Sequence, residues 1–78
     1  MIEKRIKFQS AGQLISFCNL CQKMKSDIDV MDISRRKFRI DAKSILGVMS
    51  IQLNLPMWLV VEGEDEELVE QYFEKYEA

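Results

Sequence analysis

The chain has 78 residues, 47% of them hydrophobic and 31% charged, with a formal net charge of −2, one proline and three glycines. That length accommodates one core and rules out a second domain, and the composition excludes a disordered or collagenous chain in favour of an ordered, water-soluble globule. Residues 1–61 carry ten basic and five acidic side chains and residues 62–78 one basic and eight acidic; if the acidic stretch is one helix, its −7 largely cancels the +5 of the body, so that no global cationic surface for nucleic acid follows from the total and only a local basic patch stays open.

In chain order, residues 2–8 alternate, with Ile2, Lys4, Ile6 and Phe8 on one face and Glu3, Arg5 and Lys7 on the other, a half-buried strand in which only Lys4 is out of character. Ser10 followed three residues later by Gln13 is the reciprocal capping pattern of a helix start. Leu14, Ile15, Phe17, Cys18, Leu20, Cys21 and Met24 then recur at helical spacing, which predicts an amphipathic helix with a wide apolar face. Ile28, Val30 and Ile33 mark a second strand over 27–34, Ser34–Lys37 the tip of a hairpin, and Phe38 and Ile40 a third strand. Asp41 or Ser44 caps a short helix running to Ile51, and Pro56 separates it from Met57–Val61, a β-rich run expected at the centre of the sheet. Gly63 ends that strand. Glu64–Glu67 place negative charge at a helix start, and Leu68, Val69, Tyr72, Phe73 and Tyr76 predict one closing helix. The economical arrangement is an α+β open-faced sandwich, β-α-β-β-α-β-α, a four-stranded antiparallel sheet covered on one face by three helices, as a single domain over 1–78.

No 57–61-type apolar run approaches the roughly 20 residues of a membrane span, and the amino terminus has no secretory pattern. A cytoplasmic protein is expected, in keeping with two cysteines too close together to constrain much chain as a disulfide.

The segment Ala42–Ser50, reading AKSILGVMS, resembles the regulatory-serine motif of the HPr family, the histidine-containing phosphocarriers of the bacterial sugar phosphotransferase system. Glu62–Glu66 is similar to that family's junction between the last strand and last helix, and Ser26–Val30 to its second-strand entry. The resemblance implies the same sandwich fold. It also implies that Ser44 is the position phosphorylated by the HPr kinase, and that Ile45, Leu46 and Met49 form an apolar patch for protein partners. Family members carry a catalytic histidine before the first helix, whereas this sequence contains none. Ser10 stands near the histidine position, Gly12 near the family's arginine and Gln13 near its proline, a degenerate active site. Among family types, the catabolite-repression HPr-like proteins, which lack the histidine, keep the serine and contact a transcriptional regulator, are nearest.

Carrier chemistry needs a nucleophile that forms a readily transferred phosphoryl bond, which imidazole does and serine does not. The expectation is therefore a non-enzymatic, protein-binding relative that takes no cofactor and binds neither nucleic acid nor membrane. Its partner would be an HPr kinase or a transcriptional regulator, with Ser44 as a regulatory site. An interaction module that has drifted outside the phosphotransferase system is the first alternative. A thiol redox or metal protein built on Cys18 and Cys21 is the second, although one CxxC pair without histidine is incomplete for zinc. Ser10 and Ser44 also read simply as helix caps, the two cysteines and Leu46 as core, Trp58, Tyr72, Phe73 and Tyr76 as core aromatics, and Arg35–Lys37 as a solvated turn.

Overall fold

A computed structural model describes residues 1–34 and 38–78, so all but Ser34 of the expected hairpin tip lies outside the described residues. Strand β1 (Ile2–Ile6) follows the alternation: Lys4 and Ile6 are buried, Glu3 and Arg5 exposed. Lys4 is tolerated inside because its Nζ lies 3.1 and 3.3 Å from the two carboxylate oxygens of Glu70 and 3.2 Å from Glu77 Oε1. Burial pulls its pKa down, but the two carboxylates outweigh this and hold it above the ordinary lysine value.

Helix α1 (Ala11–Lys23) starts where expected, Ser10 Oγ accepting the Gln13 N–H at 3.3 Å. The reciprocal half of the capping box is shifted by one residue: Gln13 Oε1 accepts from the Gln9 N–H at 2.7 Å instead of from that of Ser10. Leu14, Phe17, Cys18 and Cys21 are buried along α1. Ile15, expected on the same stripe, is 46% exposed, since seven apolar positions span a wider arc than one helix can press against a sheet.

The remaining strands are β2 (Asp27–Asp32), β3 (Arg39–Asp41) and β4 (Met57–Glu62). All neighbours are antiparallel and the order is β1-β4-β2-β3, which puts β4 inside the sheet as expected. Strand β2 stops at Asp32, two residues short of the pattern, because Asp32 Oδ1 accepts the Ser34 N–H at 2.7 Å and turns the chain. Ile6, Ile28, Val30, Leu59 and Val61 face the helices and join Phe8, Leu14, Phe17, Val69 and Phe73 in the core. Among the described residues no helix lies over the other face of the sheet. There the register aligns Arg5, Trp58, Met31 and Arg39 in one row, and Glu3, Val60, Asp29 and Asp41 in the next. Trp58, expected in the core, thus sits on the outer face.

The closing helix is three short pieces: a 3₁₀ turn at Glu66–Leu68, α3 (Val69–Phe73) and a second 3₁₀ turn at Glu74–Tyr76. Two demands break it. Phe73 and Tyr76 must both face the core, and 3₁₀ geometry eclipses residues three apart. Beyond them the chain turns to the edge of β1, where the Lys7 N–H donates to Tyr76 O at 2.8 Å, Ala78 N–H donates to Arg5 O at 3.0 Å, and Ile6 bridges Glu77.

At the other end of this segment Asp65 forms a clasp. Its carboxylate accepts from the Lys25 N–H at 2.7 Å, from the Ser26 N–H at 3.0 Å and from the buried Ser26 hydroxyl. The Ser26 hydroxyl foremost, then the Lys25 N–H, hold Asp65 below the usual carboxylate range. The Gly63 N–H, then the Met1 amino group, do the same for Glu66. Because both folded-state values are depressed, their contribution to stability is complete above the ordinary carboxylate value of about 4 and is lost as pH falls below it through the depressed values. Urea midpoints measured between about pH 2 and 6 should fall in that acid window, and Asp65→Asn with Glu66→Gln should flatten the dependence. An unchanged slope in the double variant would assign it to other groups.

Candidate functional site

Ser44 caps α2 (Ile45–Val48), its Oγ accepting the Gly47 N–H at 3.3 Å. Asp41, the other candidate cap, closes the preceding turn, with its Oδ1 accepting the Lys43 N–H at 3.0 Å and its carbonyl the Ser44 N–H at 3.0 Å. The helix has one turn and does not reach Ile51. Hydrogen bonds change from four-residue spacing, Val48 N–H to Ser44 O and Met49 N–H to Ile45 O, to three-residue spacing, Ser50 N–H to Gly47 O and Ile51 N–H to Val48 O. The Ser50 hydroxyl also donates to Gly47 O at 2.5 Å, competing for the carbonyl that would continue the spiral. Asn54 then takes a left-handed φ of 64°, a conformation asparagine tolerates, and leads into Pro56.

Two contacts orient this segment. Gln22 Nε2 donates to Lys43 O at 3.2 Å near the carboxyl end of α1, and Asn54 N–H donates to Phe8 O at 2.6 Å just before its amino end. Residues 44–54 therefore run antiparallel to α1, with the two helices packed together. Neither stretch carries a charge: there is none from Phe8 to Gln22 and none from Ser44 to Val61. The fold lays two neutral segments side by side. On this surface Ile45, Leu46 and Met49 are 45%, 85% and 45% exposed, beside an exposed Ile15 and Leu53. Val48 is buried, whereas Leu46, for which a core position was one reading, faces outward. Ile15 and Leu53 were missed as surface residues, and the signal that could have found them is the absence of charge in both segments.

Among the described residues, the two cations nearest Ser44 in sequence are engaged elsewhere. Lys43 Nζ donates to Met24 O at 2.8 Å, and Arg39 Nε lies 3.5 Å from Asp29 Oδ2. A phosphate on Ser44 would thus add charge to a neutral surface without a preformed partner among the described residues.

Ser10, Gly12 and Gln13 line an open depression with Ser16, Lys75 and Tyr76. Ser10 Oγ is occupied as a cap, and an ester formed there would be stable, not a transferable intermediate. The Tyr76 hydroxyl is buried and has no hydrogen-bond partner among the described residues; burial, then Cys21, raises its pKa. The two cysteines lie on the inner side of α1, both fully buried. Burial foremost, then Cys18, pushes the Cys21 thiol far above its ordinary value. Since the thiolate is the nucleophile and the metal ligand, this placement suits core packing. Among the described residues no cluster of three or more histidine, cysteine, aspartate or glutamate side chains is arranged to hold a metal. Phe73 and Tyr76 are core, and Tyr72 packs half-buried against it.

Residues 14–76 match the family model described as "PTS HPr component phosphorylation site"; the matched span begins one residue after Gln13. No curated protein matches the chain. Among solved structures, an HPr-C-His from Thermoanaerobacter tengcongensis is similar over 96% of this chain and 89% of its own, with a TM-score of 0.79 and 27% identity. A phosphocarrier protein HPr from Bacillus anthracis str. Ames has the same fold over 99% of this chain and 96% of its own, with a TM-score of 0.76 and 23% identity.

Proposed function

Because the chain belongs to the HPr family, we propose that residues 1–78 act as one HPr-like domain that docks protein partners on its α1–α2 surface, with Ser44 as a regulatory phosphorylation site, and not as a phosphocarrier. HPr proteins are carriers of phosphoryl groups in the phosphotransferase system, not classical enzymes, and they work by contact with other proteins. The observation that carries the reading is the neutral surface on which Leu46 is 85% exposed. Depletion of charge and exposed methionine and aliphatic side chains are what the core of a protein interface requires. The absence of histidine supports the second half: serine at position 10 cannot hold a labile phosphoryl group.

An HPr kinase or a transcriptional regulator is the proposed partner, in the cytoplasm. No helix among the described residues is long and apolar enough to cross a membrane. A phosphate on Ser44 would bring about −1.5 to −2 charges onto the neutral surface, altering what docks there more than the fold beneath it.

Incubation with an HPr kinase and ATP should label the wild-type chain and leave Ser44→Ala unlabelled. Leu46→Glu should lower kcat/KM for labelling about tenfold or more, the loss of one interface anchor, while its melting temperature stays at the wild-type value. With phosphoenolpyruvate and the first enzyme of the system, no acid-labile phosphate should appear; its appearance would refute the reading. Failure to label Ser44 would favour a module outside the phosphotransferase system. That second reading is supported by the loss of every catalytic residue type at Ser10, Gly12 and Gln13.

A further inference from the structure

Residues 74–78 form a strap across the edge of β1 that faces away from β4. We propose that this strap is an autoinhibitory stand-in: it occupies a strand-addition site on β1 that takes an extended partner segment in which phenylalanine is followed by an acidic residue.

The strap shows what such a site reads. It runs antiparallel to β1, with the Lys7 N–H donating to Tyr76 O at 2.8 Å, the Ala78 N–H donating to Arg5 O at 3.0 Å, and Ile6 opposite Glu77 between them. From that middle position Glu77 Oε1 lies 3.2 Å from Nζ of Lys4, whose side chain is 8% exposed. Tyr76 inserts its ring beside Phe8, Phe17 and Phe73, with centroid distances of 5.3, 5.7 and 6.5 Å. Three consecutive residues thus supply main-chain bonds for affinity and two side-chain sites, one aromatic and one anionic, for specificity.

The chain's own strap is a poor ligand for this site. The Tyr76 hydroxyl is buried without a hydrogen-bond partner among the described residues, and an unsatisfied buried hydroxyl carries a desolvation cost that phenylalanine in the same place avoids. A partner segment that differs from the strap by one oxygen atom therefore outcompetes it.

The strap is also built to lift. Among the described residues two backbone hydrogen bonds tie it to β1, against the five-residue register that joins β1 to β4. It leaves α3 at Phe73, whose φ of −116° and ψ of 3° lie outside the helical region and supply a hinge. Lifting Tyr76 leaves the ring contacts of Phe17 with Phe8 and Phe73, at 4.9 and 5.4 Å, in place. Thinly bonded segments of this kind open without global unfolding. The inference stands apart from Ser44 and the α1–α2 surface, because none of its contacts involves them.

Peptide titration and hydrogen exchange on the full chain test it. A synthetic peptide of residues 72–78 carrying Tyr76→Phe should shift the NMR signals of the Arg5, Ile6 and Lys7 amides, with a Kd on the order of 0.1–1 mM. The unsubstituted peptide should bind about fivefold more weakly, and the phenylalanine peptide carrying Glu77→Lys about tenfold more weakly. In the full chain Tyr76→Ala should tighten binding of the phenylalanine peptide about tenfold, because the site is then less occupied by its own strap; the peptide series on the wild-type chain decides the matter should that variant not fold. The Lys7 and Ala78 amides should exchange with a much weaker urea dependence than the amides of β4. Equal urea dependence would overturn the proposal, as would no shift on β1 at millimolar peptide, or equal binding of the three peptides. Exchange of the Lys7 amide that varies with protein concentration would assign the edge to the strap of a second copy and overturn it too.

Discussion

Phe17→Ala should remove a large share of the protein's stability. Phe17 is fully buried and is the hub of an aromatic group, its ring centroid lying 4.9 Å from that of Phe8, 5.4 Å from Phe73 and 5.7 Å from Tyr76. These rings come from α1, from the segment between β1 and α1, and from the C-terminal turns, so one side chain joins three parts of the chain. Truncating a buried phenylalanine typically costs about 3–5 kcal/mol. A chain of this length has a total stability of roughly 4–12 kcal/mol. The melting temperature should fall by about 20 °C, whereas Phe17→Leu, which keeps most of the volume, should lose only about 1–2 kcal/mol. Denaturant midpoints with unchanged slope check both. A loss below about 1 kcal/mol for the alanine variant would mean that the cluster can collapse into the space.

Gly63→Ala should be nearly as damaging for a backbone reason. Gly63 has a φ of +154°, and a Cβ there would lie 2.6 Å from the Ser26 Cα and 2.7 Å from Ser26 Oγ. The nearest obstacle is backbone, so no rotamer change relieves it, and Ser26→Gly in the same background should restore little. Strain and overlap together suggest a loss of roughly 3 kcal/mol and a melting temperature lower by on the order of 15 °C. Tolerance of alanine within about 0.5 kcal/mol would show that the chain ends can separate here. The site matters beyond stability because the same approach of β4 to Ser26 lets Asp65 clasp the Lys25 and Ser26 amides.

What could be read from the sequence was local chemistry. Ser10 and Ser44 are helix caps because a hydroxyl beside free amides behaves alike in any fold, and the alternation of β1 gave its faces directly. Lys4 was visible as an exception, but its explanation lies 66 residues away in Glu70. The break-up of the last helix was not legible, since Tyr76, Phe73 and the edge of β1 impose it from outside the segment. The early end of α2 depends on Ser50 turning its hydroxyl back on Gly47 and on Gly47 lying against Ile40, a tertiary contact. The candidate site was half legible: the motif around Ser44 singled out Ile45, Leu46 and Met49, while the neutral surface they share with α1 exists only once the two segments lie antiparallel.

The return of the chain to β1 after Tyr76 has a consequence for behaviour at high concentration. Unpaired strand edges are where sheets from different molecules join into fibrils. The outer edge of β1 is occupied near its carboxyl end by residues 76–78, and the opposite edge is the three-residue β3, too short to template much pairing. A sheet whose two borders are, respectively, capped and truncated resists edgewise polymerisation.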